Sequence, residues 1–368
     1  MRNTQNKLKT VLKMKIFQRS LLLATLLIAA GIAWGQKYSI YLGNTHAHCN
    51  FSGDIVKSAA KDNRELDPKN NVDNNIAAAR EAGLQFYCLT DHSQYECYTP
   101  QAWASVGEWS AKLTEDGQYI ALRGFEYSRN DNTDGSGHMN VYNTSGFVSA
   151  ALDAYDLHKF QDWLALPENA GALVCYNHPA KGAYNNFALY NEAARSKFAM
   201  LEVINSDKPK YYDRFLEALA LGYKVSPVAG LDNHAVVALK NRQSRTGIAA
   251  TSLTAEGVID AFAGRRTYAT MDKRLKIYYT VNGKAMGSTL SAPKGNLKFE
   301  VEASTDAAVL SKIEIVGEAG KVVLSKDFSD AAIRWNADVP TGERYYFLTV
   351  YEKGSEEPVA WVAPVWVE

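Results

Sequence analysis

Histidine and carboxylate side chains recur at the ends of short apolar runs in this 368-residue chain, and six of its seven histidines sit there. His46 and His48 stand in Asn44-Thr-His-Ala-His48; residues two apart in an extended chain face the same way, so both imidazoles reach one point. Alone, such a pair is as readily incidental as functional. Asp54 follows in Phe51-Ser-Gly-Asp54, where Gly53 permits a tight return. Asp91-His92 ends a second apolar run, although singly it also reads as a helix N-cap and a surface histidine. Glu126 ends Arg123-Gly-Phe-Glu126, His138 opens Gly137-His-Met-Asn-Val-Tyr142, and His178 lies in Asn177-His-Pro179. Asp232-Asn-His234 closes the series. Imidazoles mixed with carboxylates, without thiolates, suit Zn, Mn or Fe rather than a structural Cys-rich zinc site. Nine ligands (His46, His48, Asp54, His92, Glu126, His138, His178, Asp232 and His234) exceed the needs of one ion. The expectation is two to three divalent ions bridged by a carboxylate such as Glu126, a centre that activates water and stabilises a developing oxyanion. Asp91, Glu126, His178 and His234 are the residues expected nearest the reaction. Neither a Gly-x-Ser-x-Gly elbow nor a phosphate-cradling Gly-x-x-x-x-Gly-Lys-Ser/Thr loop competes.

These residues need a scaffold that brings strand ends together. From about residue 37 to 272, apolar runs alternate with helical patterns, which predicts parallel strands joined by crossover helices. Strands are expected at 37–45, 84–90, 119–124, 138–143, 172–177, 200–205, 224–229 and 267–270. Helices are expected at 73–82, 101–115, 153–166, 211–221 and 254–263, three of them closed by Gly83, Gly222 or Gly264. The count predicts a barrel of seven or eight units, with the site at the strand C-termini. His158 falls inside a helix and reads as structural. Beyond about Asp272 the pattern turns to period-two strands at 275–281, 297–303, 312–316, 322–328, 345–350 and 359–367, with Asn282-Gly283 as a type I′ hairpin signal. A small C-terminal β-sandwich is expected at 273–368, with Trp335, Tyr345, Tyr346, Trp361 and Trp366 read as its core. It holds no His and no Cys, so the chemistry belongs to residues 36–272.

Arg2, Lys7, Lys9, Lys13, Lys15 and Arg19 precede an uncharged apolar run, Leu21–Ile32, and small residues Ala33 and Gly35. That order predicts a signal peptide over 1–35, cleaved before Gln36 and leading to a secreted or periplasmic protein; the competing reading is an uncleaved anchor. The remainder carries 34 basic against 40 acidic residues, which argues against long nucleic acid as a partner. Export would let cysteines pair; Cys49 and Cys97 could meet at one rim, or all four remain buried thiols.

On these motifs the chain resembles the PHP (polymerase and histidinol phosphatase) domain family, within it the secreted metallohydrolases similar to carbaryl hydrolase. The match runs in order over residues 40–270: His46-Ala-His48 with Ser52-Gly-Asp54, Thr90-Asp-His92, Glu126, His138, His178 and Asp232-Asn-His234. Gly264-Arg-Arg-Thr-Tyr-Ala-Thr270 and the β-rich tail resemble the same branch. The resemblance implies a distorted (β/α)7 barrel and a trinuclear metal centre. Asn44 departs from the Asp common at that position and cannot supply the negative charge that raises imidazole basicity. The resemblance covers phosphoester, carbamate and ester hydrolysis, so a small phosphoester leads as substrate and a carbamate, amide or carboxylic ester follows. A non-enzymatic, metal-dependent binding protein is the third reading. Arg129, Lys181, Arg242 and Arg245 are candidate phosphate contacts, and Tyr184, Asn185 and Asn186 candidate pocket residues.

Overall fold

The apolar runs of the first two thirds pair as strands because their side chains have both faces to fill. In the computed structural model, which describes residues 38–94, 97–129, 135–150 and 155–368, these strands are β1 (Ser39–Asn44), β2 (Phe86–Leu89), β3 (Ile120–Tyr127), β4 (His138–Tyr142), β5 (Leu173–Asn177), β6 (Phe198–Asn205), β7 (Ser226–Gly230), β8 (Arg245–Ala250) and β9 (Thr267–Thr270). β2 and β5 through β9 are buried along their whole length, as expected of strands covered on two faces. The helices that accompany them include α1 (Gly53–Lys61), α2 (Val72–Glu81), α3 (Pro100–Leu113), α4 (Leu157–Leu164), α5 (Tyr212–Ala220) and α6 (Ala255–Ala263). Thr99, Asp156 and Thr254 cap α3, α4 and α6 by accepting backbone N–H bonds. The signal peptide expected at 1–35 lies outside the described residues.

Residues Tyr38–Glu368 form one compact unit with a mixed α/β fold. β1, β2 and β3 pair in parallel, as do β5, β6 and β7. The expectation of parallel strands throughout is corrected at β4, which runs antiparallel to both β3 and β5. The link from β3 to β4 is too short for the crossover that a parallel pair requires. β8 was not expected; its Arg-Thr-Gly-Ile-Ala-Ala sequence is poor in β-formers. It pairs antiparallel with β1 and β9 because Gly247 lets the Tyr268 ring lie where a Cβ would stand.

The sheet is not closed into the barrel that the alternation predicts. Its path of paired strands ends at β7, where Pro227 has no N–H to donate. Side chains make the junction instead. Thr246 Oγ1 accepts from Ala229 N at 2.8 Å, and Thr267 Oγ1 donates to Pro227 O at 2.9 Å.

The C-terminal strands are β10 (Lys276–Val281), β11 (Lys284–Ala285), β12 (Thr289–Leu290), β13 (Leu297–Ser304), β14 (Leu310–Val316), β15 (Val322–Asp330), β16 (Ala332–Val339), β17 (Tyr345–Glu352), β18 (Ala360–Val362) and β19 (Val365–Val367). The β10–β11 hairpin turns on Asn282 and Gly283 at φ of 50° and 73°, the two positive values of a type I′ turn. These strands do not pair only among themselves, as the expected sandwich would. β11, β10, β13 and β16 form a separate sheet, whereas β18 pairs with β9 and so carries β17 and β19 into the main sheet. Tyr279, Phe299, Ile313, Ile315, Trp335 and Tyr346 fill one buried cluster spanning both sheets.

Cys49, Cys88 and Cys175 are buried free thiols. Cys49 does not bridge to Cys97; its Sγ donates to Asp91 Oδ2 at 3.0 Å. Among the described residues, no helix is long and apolar enough to cross a membrane.

Candidate metal centre

β1, β2, β3, β5 and β7 end at one edge of the sheet, and the reversed β4 begins there, so six strands deliver their terminal residues to one place. In open α/β sheets that edge is where ligands bind. Residues beyond the ladder stay aligned through isolated bridges: Ala47 with Asn233, and His92 with Glu126. Asp232 N donates to His46 O at 2.9 Å, fixing the first and last motifs against each other. α1 starts just after Ser52 and places Asp54 in its first turn, beside His234. His234 Nε2 lies 2.6 Å from Asp54 Oδ2.

Glu126 is the hub. Its carboxylate is fully buried, with His46 Nε2 at 3.3 Å, His138 Nδ1 at 3.4 Å and His178 Nε2 at 3.6 Å from Oε1, and His92 Nδ1 at 2.7 Å from Oε2. The ligand atoms gather into four overlapping groups: His48, His92 and His234; His46, Glu126 and His178; His46, His48 and Asp232; His92, Glu126 and His138, each group lying within 4.8 Å. All nine candidate ligands fall in this cluster, Asp54 through its pair with His234.

Several contacts crowd donors and acceptors in the way a metal cluster would use. His46 Nε2 faces His48 Nε2 at 3.0 Å while also facing two carboxylates. Asp54 Oδ1 is buried with no hydrogen-bond partner among the described residues, and Glu126 Oε2 and His138 Nδ1 meet neighbouring ligand groups, His92 Nδ1 and Glu126 Oε1. An unpaired buried oxygen is costly, and its place beside so many nitrogen and oxygen donors fits ions held among them. Electrostatics point the same way. Burial opposes a proton on His46, yet Glu126, Asp232 and Glu202 hold its pKa well above the ordinary value. His48, equally buried but facing His234 and His92, is pushed down to about 3. Burial resists charge on Glu126 too, and the surrounding imidazoles nonetheless hold its carboxyl well below the usual range.

These shifts fix the sign of a pH effect. His234, beside Asp54, rises from 6.5 to about 9, and His46, His92 and His178 rise also. A raised imidazole contributes stability that is complete below its unfolded value and is lost as pH climbs through the folded one. His48 acts oppositely but is outnumbered. The melting temperature of metal-free protein should therefore fall from pH 6.5 to 9, a decline that saturating divalent metal should abolish because ions replace the protons. A melting temperature flat over that range without metal would contradict this assignment of charges.

Glu202 belongs to the site and was not anticipated. Its carboxylate, fully buried in β6, accepts from His46 Nδ1 at 2.8 Å through Oε1 and from His178 N at 2.7 Å through Oε2. The Asn205 side-chain amide donates to Glu202 Oε2 at 3.1 Å and to Asp232 Oδ2 at 3.3 Å. The negative charge that Asn44 cannot supply therefore comes from another strand. Asn44 itself is backbone glue, its Nδ2 donating to His46 O at 2.8 Å and its Oδ1 accepting from Leu231 N at 2.8 Å. Asn44→Asp loses that donor and sets a carboxylate against a carbonyl, so it should cost about 1–3 kcal/mol of stability with no gain in metal affinity. Denaturant melts and metal titration of the variant decide it.

Asp91, expected near the reaction, turns away from the ligand groups towards Cys49. It is fully buried, accepts from Cys49 N at 2.6 Å and from Cys49 Sγ, and burial raises its pKa to about 6. It joins none of the ligand groups. Arg245, a candidate phosphate contact, is buried in β8 with Nη1 donating to Arg242 O and Ser244 O. Arg242 pairs with Asp207 at 3.7 Å. Arg129 meets the centre through its backbone, its carbonyl lying 3.1 Å from His138 Nε2, and Lys181 is exposed. Tyr184, Asn185 and Asn186 form a left-handed turn at φ of 56°, 50° and 60°. The Tyr184 hydroxyl lies 2.8 Å from His138 O and 2.7 Å from Asn177 O, bracing the two strand ends that carry His138 and His178. His158 is exposed on α4, stacked on Tyr190 with ring centroids 3.5 Å apart.

No family model matches the chain. It is 20% identical over 364 residues to an uncharacterised protein of Chlamydia pneumoniae, the match covering 83% of this chain and 56% of that protein, so the chain spans about half the length of this curated relative. Solved structures similar to it at low scores include two bacterial proteins. A two-domain protein of Bacteroides vulgatus, described as containing a predicted PHP-like metal-dependent phosphoesterase, aligns with 89% of this chain and 95% of its own at 15% identity and a TM-score of 0.46. PsfC of Pseudomonas syringae aligns with 57% of this chain and 82% of its own at 14% identity and a TM-score of 0.36.

Proposed function

We propose that the chain is a multinuclear metal-dependent hydrolase acting on a small phosphoester. The observation that carries this reading is the sharing of ligands: Glu126, His46, His48 and His92 each belong to two groups, so the groups describe neighbouring ions rather than separate ones. When bound, two or three adjacent divalent ions supply an activated water and positive charge for a phosphoryl group. The chain's own residues set this up. The Glu202 and Ser52 side chains engage Nδ1 of His46 and His48, turning both Nε2 atoms inward. His178, Asp232, His234 and Asp54 keep between 21% and 37% of their side chains exposed and form the mouth, whereas His46, His48 and Glu126 close its floor to solvent. A permanently anionic substrate matches such a cluster better than a neutral one, which is why phosphoesters are placed ahead of carbamates, amides and carboxylic esters. Export belongs to the same reading and rests on the basic start and short apolar run at residues 1–35.

The test joins elemental analysis to a substrate panel. Protein reconstituted with Zn, Mn or Fe should hold two to three ions and turn over aryl phosphates or phosphodiesters. One ion or fewer per chain would overturn the multinuclear centre. Hydrolysis of carbamates or carboxylic esters alone would overturn the substrate class.

A further inference from the structure

A cavity of about 380 Å³ lies away from the metal centre, in the seam where α5 and its preceding loop meet β14, β17 and β18. Its volume is in the range of small-ligand pockets, and none of the candidate metal ligands lines it. Tyr212, Tyr351 and Trp361 give it aromatic walls, and Asp213, Glu314 and Glu357 give it carboxylates. Trp361 is only 3% exposed, and its indole N–H has no acceptor among the described residues. Buried indole N–H groups usually find a partner, so whatever fills the cavity must bring an acceptor.

The other lining groups restrict the occupant further. Glu314 is already committed to the Thr349 and Tyr351 hydroxyls and to Lys312 at 2.7 Å. Asp213 and Glu357 remain exposed and, as ionised carboxylates, can only accept, so the ligand must also bring donors. Asp213 and Glu357 against Lys210, with Glu314 already paired to Lys312, disfavour an anion. A simple ammonium ion fits the carboxylates but has no acceptor for Trp361. A neutral molecule with many hydroxyls and a C–H face satisfies all these groups together, since each hydroxyl both donates and accepts. We propose that this cavity binds a neutral saccharide unit, a function separate from hydrolysis at the metal centre and independent of it.

Saturation-transfer NMR on the full chain tests this with glucose, galactose and N-acetylglucosamine as probes, and inorganic phosphate and choline as charged controls. At least one sugar should bind saturably with Kd on the order of 1 mM. Trp361→Phe keeps an aromatic ring and removes the N–H, and should weaken binding about tenfold. Because Trp361 is also a core residue, Asp213→Asn and Glu357→Gln, both at exposed positions, carry the test should Trp361→Phe fail to fold; each should weaken binding too. Glu126→Gln should leave sugar binding unchanged. Failure of all three sugars to saturate, sugar binding indifferent to the cavity variants, or phosphate or choline binding that is lost with those variants would each overturn the proposal.

Discussion

Glu126→Gln is expected to strip metal from the protein and lower turnover of a phosphoester by about 10²-fold or more, each factor of ten being 1.36 kcal/mol of transition-state stabilisation. The substitution keeps the shape of the side chain and removes one negative charge from a buried point that faces four imidazoles within 3.6 Å. An amide can offer one oxygen to an ion but cannot span two as an anion, so both groups that contain Glu126 lose a ligand together. Where metal is absent the same loss should appear as a downward shift of the His92 and His46 titrations, because Glu126 is what raises them against burial. NMR titration of the histidine rings separates this electrostatic effect from misfolding. His158→Asn is the internal comparison: an exposed ring stacked on Tyr190, outside every ligand group, should tolerate the change with turnover near that of the parent. Full metal loading and normal turnover in Glu126→Gln, with activity abolished in His158→Asn, would show that the centre is wrongly assigned.

The clustering of the candidate ligands was legible because most of their motifs interrupt an apolar run at one of its ends, where a buried strand meets a loop and a charged or imidazole side chain has no packing reason to be. That logic located every member of the cluster except Glu202, which sits inside Phe-Ala-Met-Leu-Glu-Val-Ile-Asn with apolar neighbours on both sides. A signal was present: a lone carboxylate within a wholly buried strand must have a partner, and the partner must be polar. Asp91 shows the converse. Its place beside His92 suggested the centre, but its carboxylate turns to the Cys49 amide and thiol, a choice set by tertiary packing. The reversal of β4 and the open end at β7 depend on connection length and on Pro227, neither of which alters the hydrophobic pattern from which strands are read. β8 escaped because its strand identity lies in its neighbours, above all the Tyr268 ring that covers Gly247.

Glu202→Gln should weaken metal binding by about 10- to 100-fold while leaving the fold intact, the range typical when the partner of a ligand histidine is removed. The reason lies in how many acceptors the side chain offers. A carboxylate has two, and here Oε1 takes the His46 Nδ1 proton while Oε2 takes the His178 backbone N–H. A glutamine has one acceptor and one donor. If its oxygen faces His178 N, its NH2 points at His46 Nδ1, forcing that nitrogen to accept and placing the ring proton on Nε2, where it blocks ligation. If its oxygen faces His46, the NH2 opposes the His178 amide and displaces the strand end that carries that ring. Either orientation disturbs His46 or His178, the two histidines of one of the groups that contain Glu126. Gly230 gives an independent handle on the same contact: a Cβ there would overlap Glu202 Oε1 and stand 2.9 Å from His46 Cβ, so Gly230→Ala should push the carboxylate off His46 with Glu202 still present. Competition titrations with a metal chelator, run beside thermal melts, measure affinity separately from stability. Both variants should lose affinity and turnover together, whereas Glu202→Gln that binds ions as tightly as the parent would reduce Glu202 to a packing residue and leave His46 oriented by its other neighbours, Glu126, His48 and Asp232.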